Sequence, residues 1–125
     1  MSNKASFTLS NRMKSFVYAI NGLKSFFNTE HNSWIHITAA ITAIILGLVL
    51  KISKYEWCLL ALAIGIVMAA EVFNTSIELL TDIASPEYNE MAKRVKDMSA
   101  GAVLIASIVA LIIGVIIFIP YVFLI

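Results

Sequence analysis

Three apolar stretches divide the chain, at residues 32–50, 57–70 and 98–119. The first has no Lys, Arg, Asp or Glu, and the other two carry no charge at all. A helix needs about 20 residues, at about 1.5 Å each, to cross a hydrocarbon core of about 30 Å. The first and third stretches reach that length unaided. The second covers only roughly 21 Å before it meets Glu71, so it must continue through "AAEVFNTSIELLTD", residues 69–82. If Trp57 marks one bilayer edge, Glu71 lies inside the membrane, roughly 9 Å short of the other edge. Glu78 then lies close to that second edge. The pattern predicts spans over residues 32–52 and 56–83, and a third helix over 86–119 that begins in water and continues through the membrane.

The third helix opens with "SPEYNEMAKRVKD". Ser85 suits an N-cap, Pro86 the first turn, and Glu87 the positive end of the helix dipole. Glu90 is placed to pair with Lys93 or Arg94. Only a short turn at residues 84–85 then separates the second span from the third helix. Upstream, residues 12–28 repeat Met13, Phe16, Val17, Ile20, Leu23 and Phe27 at helical spacing, with Arg12, Lys14 and Lys24 elsewhere. That spacing predicts an amphipathic helix lying on the inner membrane surface.

Composition supports a bilayer as the solvent. The chain has 125 residues, of which 60% are hydrophobic and 14% charged. Soluble domains run at roughly 45–50% apolar and about 25% charged, and so small a core cannot hide this much apolar surface. A net charge of +1 argues against nucleic acid as the main partner. The lone Cys58 forms no disulfide within the chain and reads as a packing residue. The polar N-terminus reads as carrying no cleavable signal. Asn74 fits the glycan pattern "NTS", but its place inside an apolar helix discounts modification.

Orientation follows from basic residues near the spans. Lys4, Arg12, Lys14, Lys24, Lys93, Arg94 and Lys96 fall on one side, against Lys51 and Lys54 on the other. The reading is a multi-pass membrane protein with its N-terminus in the cytoplasm and its C-terminus outside. Small residues recur at four-residue spacing in each span: Ala39, Ala43 and Gly47; Ala61, Gly65 and Ala69; Ala106, Ala110 and Gly114. Such stripes permit close helix approach, and three helices alone make a thin bundle, so self-association is expected.

Glu71, Asn74, Glu78 and Asp82 are spaced i, i+3, i+7 and i+11, which puts them within a wedge of roughly 80° on one helix face. An acid inside a span is costly and points to function. Interface anchoring explains Asp82 and part of Glu78, but Glu71 is too deep for it. Carboxylate oxygens from different helices suit Mg²⁺, and a partly desolvated carboxylate can serve as a base. Lys96, Arg94 and Arg12 supply cations on the same side, and Glu30 precedes the first span there. The acids and bases of four segments can therefore meet at the depth of a membrane lipid's hydroxyl. His31 and His36 are five residues apart and read as interface residues rather than as a metal pair. Neither GxxxxGK[ST] nor GxGxxG occurs.

Three motifs carry a resemblance that spans most of the chain. "EVFNTSIELLTD" follows the pattern E-x-x-N-[ST]-x-I-E-x-x-x-D, "AKRVKDMSAGAVLI" follows K-D-x-x-[AS]-A-x-V-L except that Gly101 replaces its second small residue, and "EHNSWIH" precedes the first span. Together they resemble the small prokaryotic integral-membrane diacylglycerol kinases, a family that includes undecaprenol kinases. The "EHNSWIH" form is more similar to the undecaprenol kinase branch. The resemblance implies an all-α homotrimer of three-span subunits, each with an N-terminal surface helix. It implies transfer of the γ-phosphoryl group of ATP to a lipid hydroxyl, of undecaprenol, diacylglycerol or both. By motif position it implies Glu71 as catalytic base, Asn74 as a positioning group, and Glu30 and Glu78 as ligands of the Mg²⁺ that accompanies ATP. Lys96 and Asp97 match the family's Lys-Asp pair, with Lys96 facing phosphates. Tyr18, Asp82, Glu87, Tyr88 and Asn89 match nucleotide-site positions, and Arg12 aligns with a phosphate-contacting arginine.

Two other classes compete with a kinase. A small proton-coupled exporter also uses a buried membrane acid, but it needs a path to both faces, and the wedge here opens only inward. A regulatory membrane subunit leaves Glu71, Asn74 and Glu78 unexplained.

Overall fold

Three of the four helices begin where a side chain takes the first unpaired amides. In the computed structural model, which describes residues 7–124, the chain is all-helical: α1 (Leu9–Thr29), α2 (Ser33–Leu50), α3 (Lys54–Ala84) and α4 (Glu90–Phe123). Lys4, one of the N-terminal basic residues, lies outside the described residues. The Thr8 hydroxyl accepts the Asn11 N–H at 3.4 Å and starts α1. At the α1–α2 junction Ser33 is fully buried and donates to the Glu30 carbonyl at 2.6 Å.

The α2–α3 turn is built on Gly47. Lys51 adopts the left-handed conformation at φ 54°, and the amides of Lys51 and Ile52 both bond the Gly47 carbonyl. A Cβ on Gly47 would stand 2.9 Å from the Trp57 ring and 3.0 Å from Ile52, so the small residue is required there. Ser53 and Glu56 then form a reciprocal capping box that opens α3. Tyr121, near the end of α4, donates to the same Glu56 carboxylate at 2.7 Å.

The start of α4 corrects one expectation. Ser85 is not its N-cap, and Pro86 is not in its first turn; the helix begins at Glu90. Ser85 donates its hydroxyl to the Glu87 carbonyl at 3.2 Å. Asn89 caps instead, its Oδ1 accepting the amides of Met91 and Ala92 at 2.8 and 3.2 Å, which satisfies two orphan donors at once. The predicted partner of Glu90 also changes, since Lys93 pairs with Asp97 at 2.7 Å. At the other end α4 runs through Pro120 to Phe123 rather than stopping at residue 119. Proline removes a single backbone bond so near the helix end, and Tyr121 anchors that last turn to Glu56.

The helices α3 and α4 form the tightest antiparallel pair; α2 packs on α3 more loosely and α1 touches it least. Ile52, Leu60 and Ile117 make the buried cluster at the α2–α3 turn, with Trp57, Phe118 and Tyr121 against it. The buried stripe of α3 is Leu60, Ala63, Val67, Glu71 and Thr75, spaced to lie on one face. Cys58, expected to pack, is exposed, because it sits nearly opposite Leu60 around the helix. Ile35, Leu48, Leu62, Ile105, Leu111 and Ile116 all stay exposed in the single chain. Exposed to water, each would cost about 1.5–3 kcal/mol relative to burial. Three helices, α2, α3 and α4, are long and apolar enough to cross a membrane, and the protein is accordingly a membrane protein.

Candidate active site

The buried stripe of α3 carries Glu71 into the protein rather than toward lipid. Glu71 is 8% exposed, and its Oε1 lies 2.7 Å from Nε2 of His36 on α2. An acid held this way avoids the cost of facing hydrocarbon alone. The contact gives His36, expected only as an interface residue, a partner on α3.

One turn along, Asn74 stands between two partners. Its Nδ2 donates to Glu78 Oε1 at 3.2 Å, and its Oδ1 accepts from the hydroxyl of Ser99 on α4 at 2.8 Å. An ionised carboxylate only accepts, so the amide nitrogen must face Glu78 and the amide oxygen must face the serine. Ser99 is buried and completes the chain Ser99–Asn74–Glu78. Farther along the wedge, Lys96 on α4 forms an ion pair with Asp82. The predicted wedge therefore divides: Glu71 turns to α2, whereas Asn74 and Asp82 bond residues of α4.

The remaining predicted residues are more dispersed. Glu30 is half-buried where α1 ends, and neither it nor Glu78 makes an ion pair among the described residues. Asp97 is exposed and bonded to Lys93. Tyr18 and Tyr88 are exposed, as is Glu87, and Asn89 is engaged as the α4 cap. The Arg12 guanidinium stacks 4.5 Å from the centre of the Phe7 ring. No three His, Cys, Asp or Glu side chains gather as a metal cage among the described residues.

A cleft of about 880 Å³ opens between α2, α3 and α4. His36 and Trp34 line one end, small residues including Ala39, Ala63 and Gly114 the middle, and Phe118 the other end. The His36 side chain thus stands between this apolar space and Glu71.

Sequence reasoning missed His36 and Ser99, although both left traces. Ser99 is one of only two serines between residues 98 and 119, the other being Ser107, so it is a natural partner for an amide in an oily helix. His36 lies 17 residues before Ser53 and Glu71 lies 18 after it, so an antiparallel hairpin turning there sets the two at similar depth.

The sequence is similar to those of known proteins. Residues 17–118 match the family described as prokaryotic diacylglycerol kinase. The chain is 37% identical over 107 residues to the undecaprenol kinase of Bacillus subtilis, covering 86% of this chain and 87% of that protein. It is also 37% identical to the diacylglycerol kinase of Synechocystis, over 83% of this chain and 60% of that protein. The diacylglycerol kinase of Escherichia coli K12 is 33% identical over 80% of this chain and 82% of its own length. With its family match covering most of the chain, this protein belongs to the prokaryotic diacylglycerol kinase family and is a lipid kinase.

Proposed function

We propose that this chain transfers the γ-phosphoryl group of ATP to the hydroxyl of a membrane lipid alcohol at the inner face of the bacterial cytoplasmic membrane. The observation that carries the reading is the buried carboxylate of Glu71, set beside the apolar cleft and one helical turn from the Asn74–Glu78 pair. Glu71 takes the lipid hydroxyl's proton as the oxygen attacks the γ-phosphorus. The bond from that phosphorus to the β–γ bridging oxygen breaks, and ADP leaves with the electron pair. Asn74 orients the reacting groups from its fixed rotamer. Phosphoryl transfer depends mainly on such positioning and on charge neutralisation.

Glu30 and Glu78 are the residues that would hold Mg²⁺. Both offer hard oxygens and neither is neutralised by a cation of its own among the described residues. Mg²⁺ keeps several waters and is bound by one or two carboxylates plus substrate phosphates. When bound, Mg²⁺ offsets the phosphate charge. Lys96 faces the phosphates, with Asp82 as its resting partner; Asp97, Tyr18, Glu87, Tyr88 and Asn89 border the nucleotide, and Arg12 contacts phosphate from α1. ATP arrives from water and the lipid from the bilayer, which is why the site lies at their border.

In this reading α1 lies on the cytoplasmic membrane surface, and its exposed Met13, Phe16 and Ile20 support that placement. The subunits form a homotrimer. Support comes from Gly65, where an added Cβ would meet nothing within 4 Å and a neighbouring helix has room to approach. The acceptor is undecaprenol or diacylglycerol, with the "EHNSWIH" form favouring undecaprenol. The test is a mixed-micelle assay with each lipid in turn. ATP consumption should require both Mg²⁺ and a lipid alcohol and should yield the phosphorylated lipid. Lipid-independent ATP turnover, or proton flux without phosphorylated product, overturns the proposal.

A further inference from the structure

We propose that His36 is a positioning residue for the phosphoryl-transfer base: its Nε2–H holds Glu71 Oε1 and leaves the second carboxylate oxygen, Oε2, for the lipid hydroxyl. The inference rests on the lipid-kinase reading, with Glu71 as base, and adds a residue to it.

Three observations carry it. First, the contact is short, 2.7 Å, and joins two different helices. It therefore fixes Glu71 against α2 rather than along its own helix. Second, both side chains are largely withdrawn from solvent, with 24% of the His36 side chain and 11% of the Glu71 side chain exposed. A hydrogen bond in such surroundings is stronger and more directional than one in water. Third, His36 lines the apolar cleft and Glu71 does not. A lipid alcohol lying in the cleft would meet the imidazole first, with the carboxylate one hydrogen bond behind it.

The chemistry assigns the roles. An ionised carboxylate can only accept, so the imidazole nitrogen facing it must donate. Among the described residues His36 makes no other side-chain hydrogen bond, and Glu71 has no other ionic partner. The other residues that line the cleft with His36 come from α2, α3 and α4 and are uncharged, including Thr38, Met68 and Ser107. The carboxylate's orientation therefore depends on one donor. Without it, Glu71 can rotate about its side-chain torsions, and the reacting oxygen loses its aim. Misplacement by about 1 Å can lower a rate about 10²-fold. During transfer the lipid proton moves to Oε2, and His36 keeps its own proton throughout, so it positions without exchanging charge.

The test uses the full-length protein in mixed micelles with a lipid alcohol, ATP and Mg²⁺. For His36→Ala, kcat should fall about 10-fold or more, while KM for ATP stays within about twofold. For His36→Gln, whose amide can still donate to Glu71, most of the rate should return. Added imidazole should raise the turnover of His36→Ala severalfold, since the cleft leaves room for it, and should do nothing for Glu71→Gln. Wild-type kcat in His36→Ala overturns the inference. So does equal loss in the Ala and Gln variants with no response to imidazole, because that pattern marks a purely structural histidine. Failure of the parent reading looks different: the wild-type protein itself would form no phosphorylated lipid.

Discussion

The hydroxyl of Ser99 donates to Asn74 Oδ1 at 2.8 Å and ties α4 to the polar face of α3. That bond sets the amide's orientation, and the orientation in turn aims Nδ2 at Glu78. Replacing Ser99 by Ala leaves a buried acceptor without its partner. Interhelical hydrogen bonds in membranes average about 0.6 kcal/mol, with a maximum near 1.7. Ser99→Ala should therefore cost about 0.6–1.7 kcal/mol in denaturant titrations in micelles, and kcat should drop with it as Asn74 loosens. Unaltered stability together with unaltered kcat would show that the amide is held by something else.

Glu71 is buried beside the cleft and is the proposed base. Glu71→Gln keeps the shape of the side chain and removes its ability to take a proton. The variant should bind ATP normally and lose about 10²-fold or more in kcat, in line with typical general-base contributions. Steady-state kinetics with an independent nucleotide-binding measurement separates the two effects. Near-normal turnover would remove Glu71 from the chemistry.

Glu30 and Glu78 come from different segments and have no cationic partner among the described residues. If they carry Mg²⁺, then Glu30→Gln and Glu78→Gln should each shift the Mg²⁺ titration of activity to higher concentration. Glu78→Gln should also disturb Asn74, its hydrogen-bond partner, and so lower kcat at saturating metal. An unshifted Mg²⁺ titration in both variants would rule them out as ligands.

Gly47 and Gly65 belong to similar small-residue stripes but have different surroundings. A methyl on Gly47 runs into the rigid Trp57 ring at 2.9 Å, whereas one on Gly65 meets nothing within 4 Å. Gly47→Ala should destabilise the α2–α3 hairpin by about 1–3 kcal/mol, the usual range for overpacking. Gly65→Ala should leave subunit stability nearly unchanged. In a trimer that packs another helix at Gly65, the same substitution should weaken association instead, which cross-linking or native mass spectrometry can read.

Much of the architecture is legible in the spacing of apolar residues. The three apolar runs correspond to α2, α3 and α4, and the helical period that puts Glu71, Asn74, Glu78 and Asp82 on one side of a helix comes from residue counting alone. The boundary at α4 is not legible in the same way. Ser85 and Asn89 are both good caps, and Asn89 prevails because it satisfies two amides while the Ser85 hydroxyl bonds the Glu87 carbonyl.

By itself the sequence determined which segments are fit to cross the bilayer and that Glu71, Asn74, Glu78 and Asp82 share one side of a helix. It could do so because a backbone in lipid must satisfy its own hydrogen bonds, and the helix that results has a fixed rise and period. Only the tertiary structure decided which neighbour each polar group meets: His36 for Glu71, Ser99 for Asn74, Lys96 for Asp82. Those pairings depend on the rotation and crossing of whole helices. Contacts remote in sequence from the acids set that geometry, such as Gly47 against Trp57 and Tyr121 against Glu56.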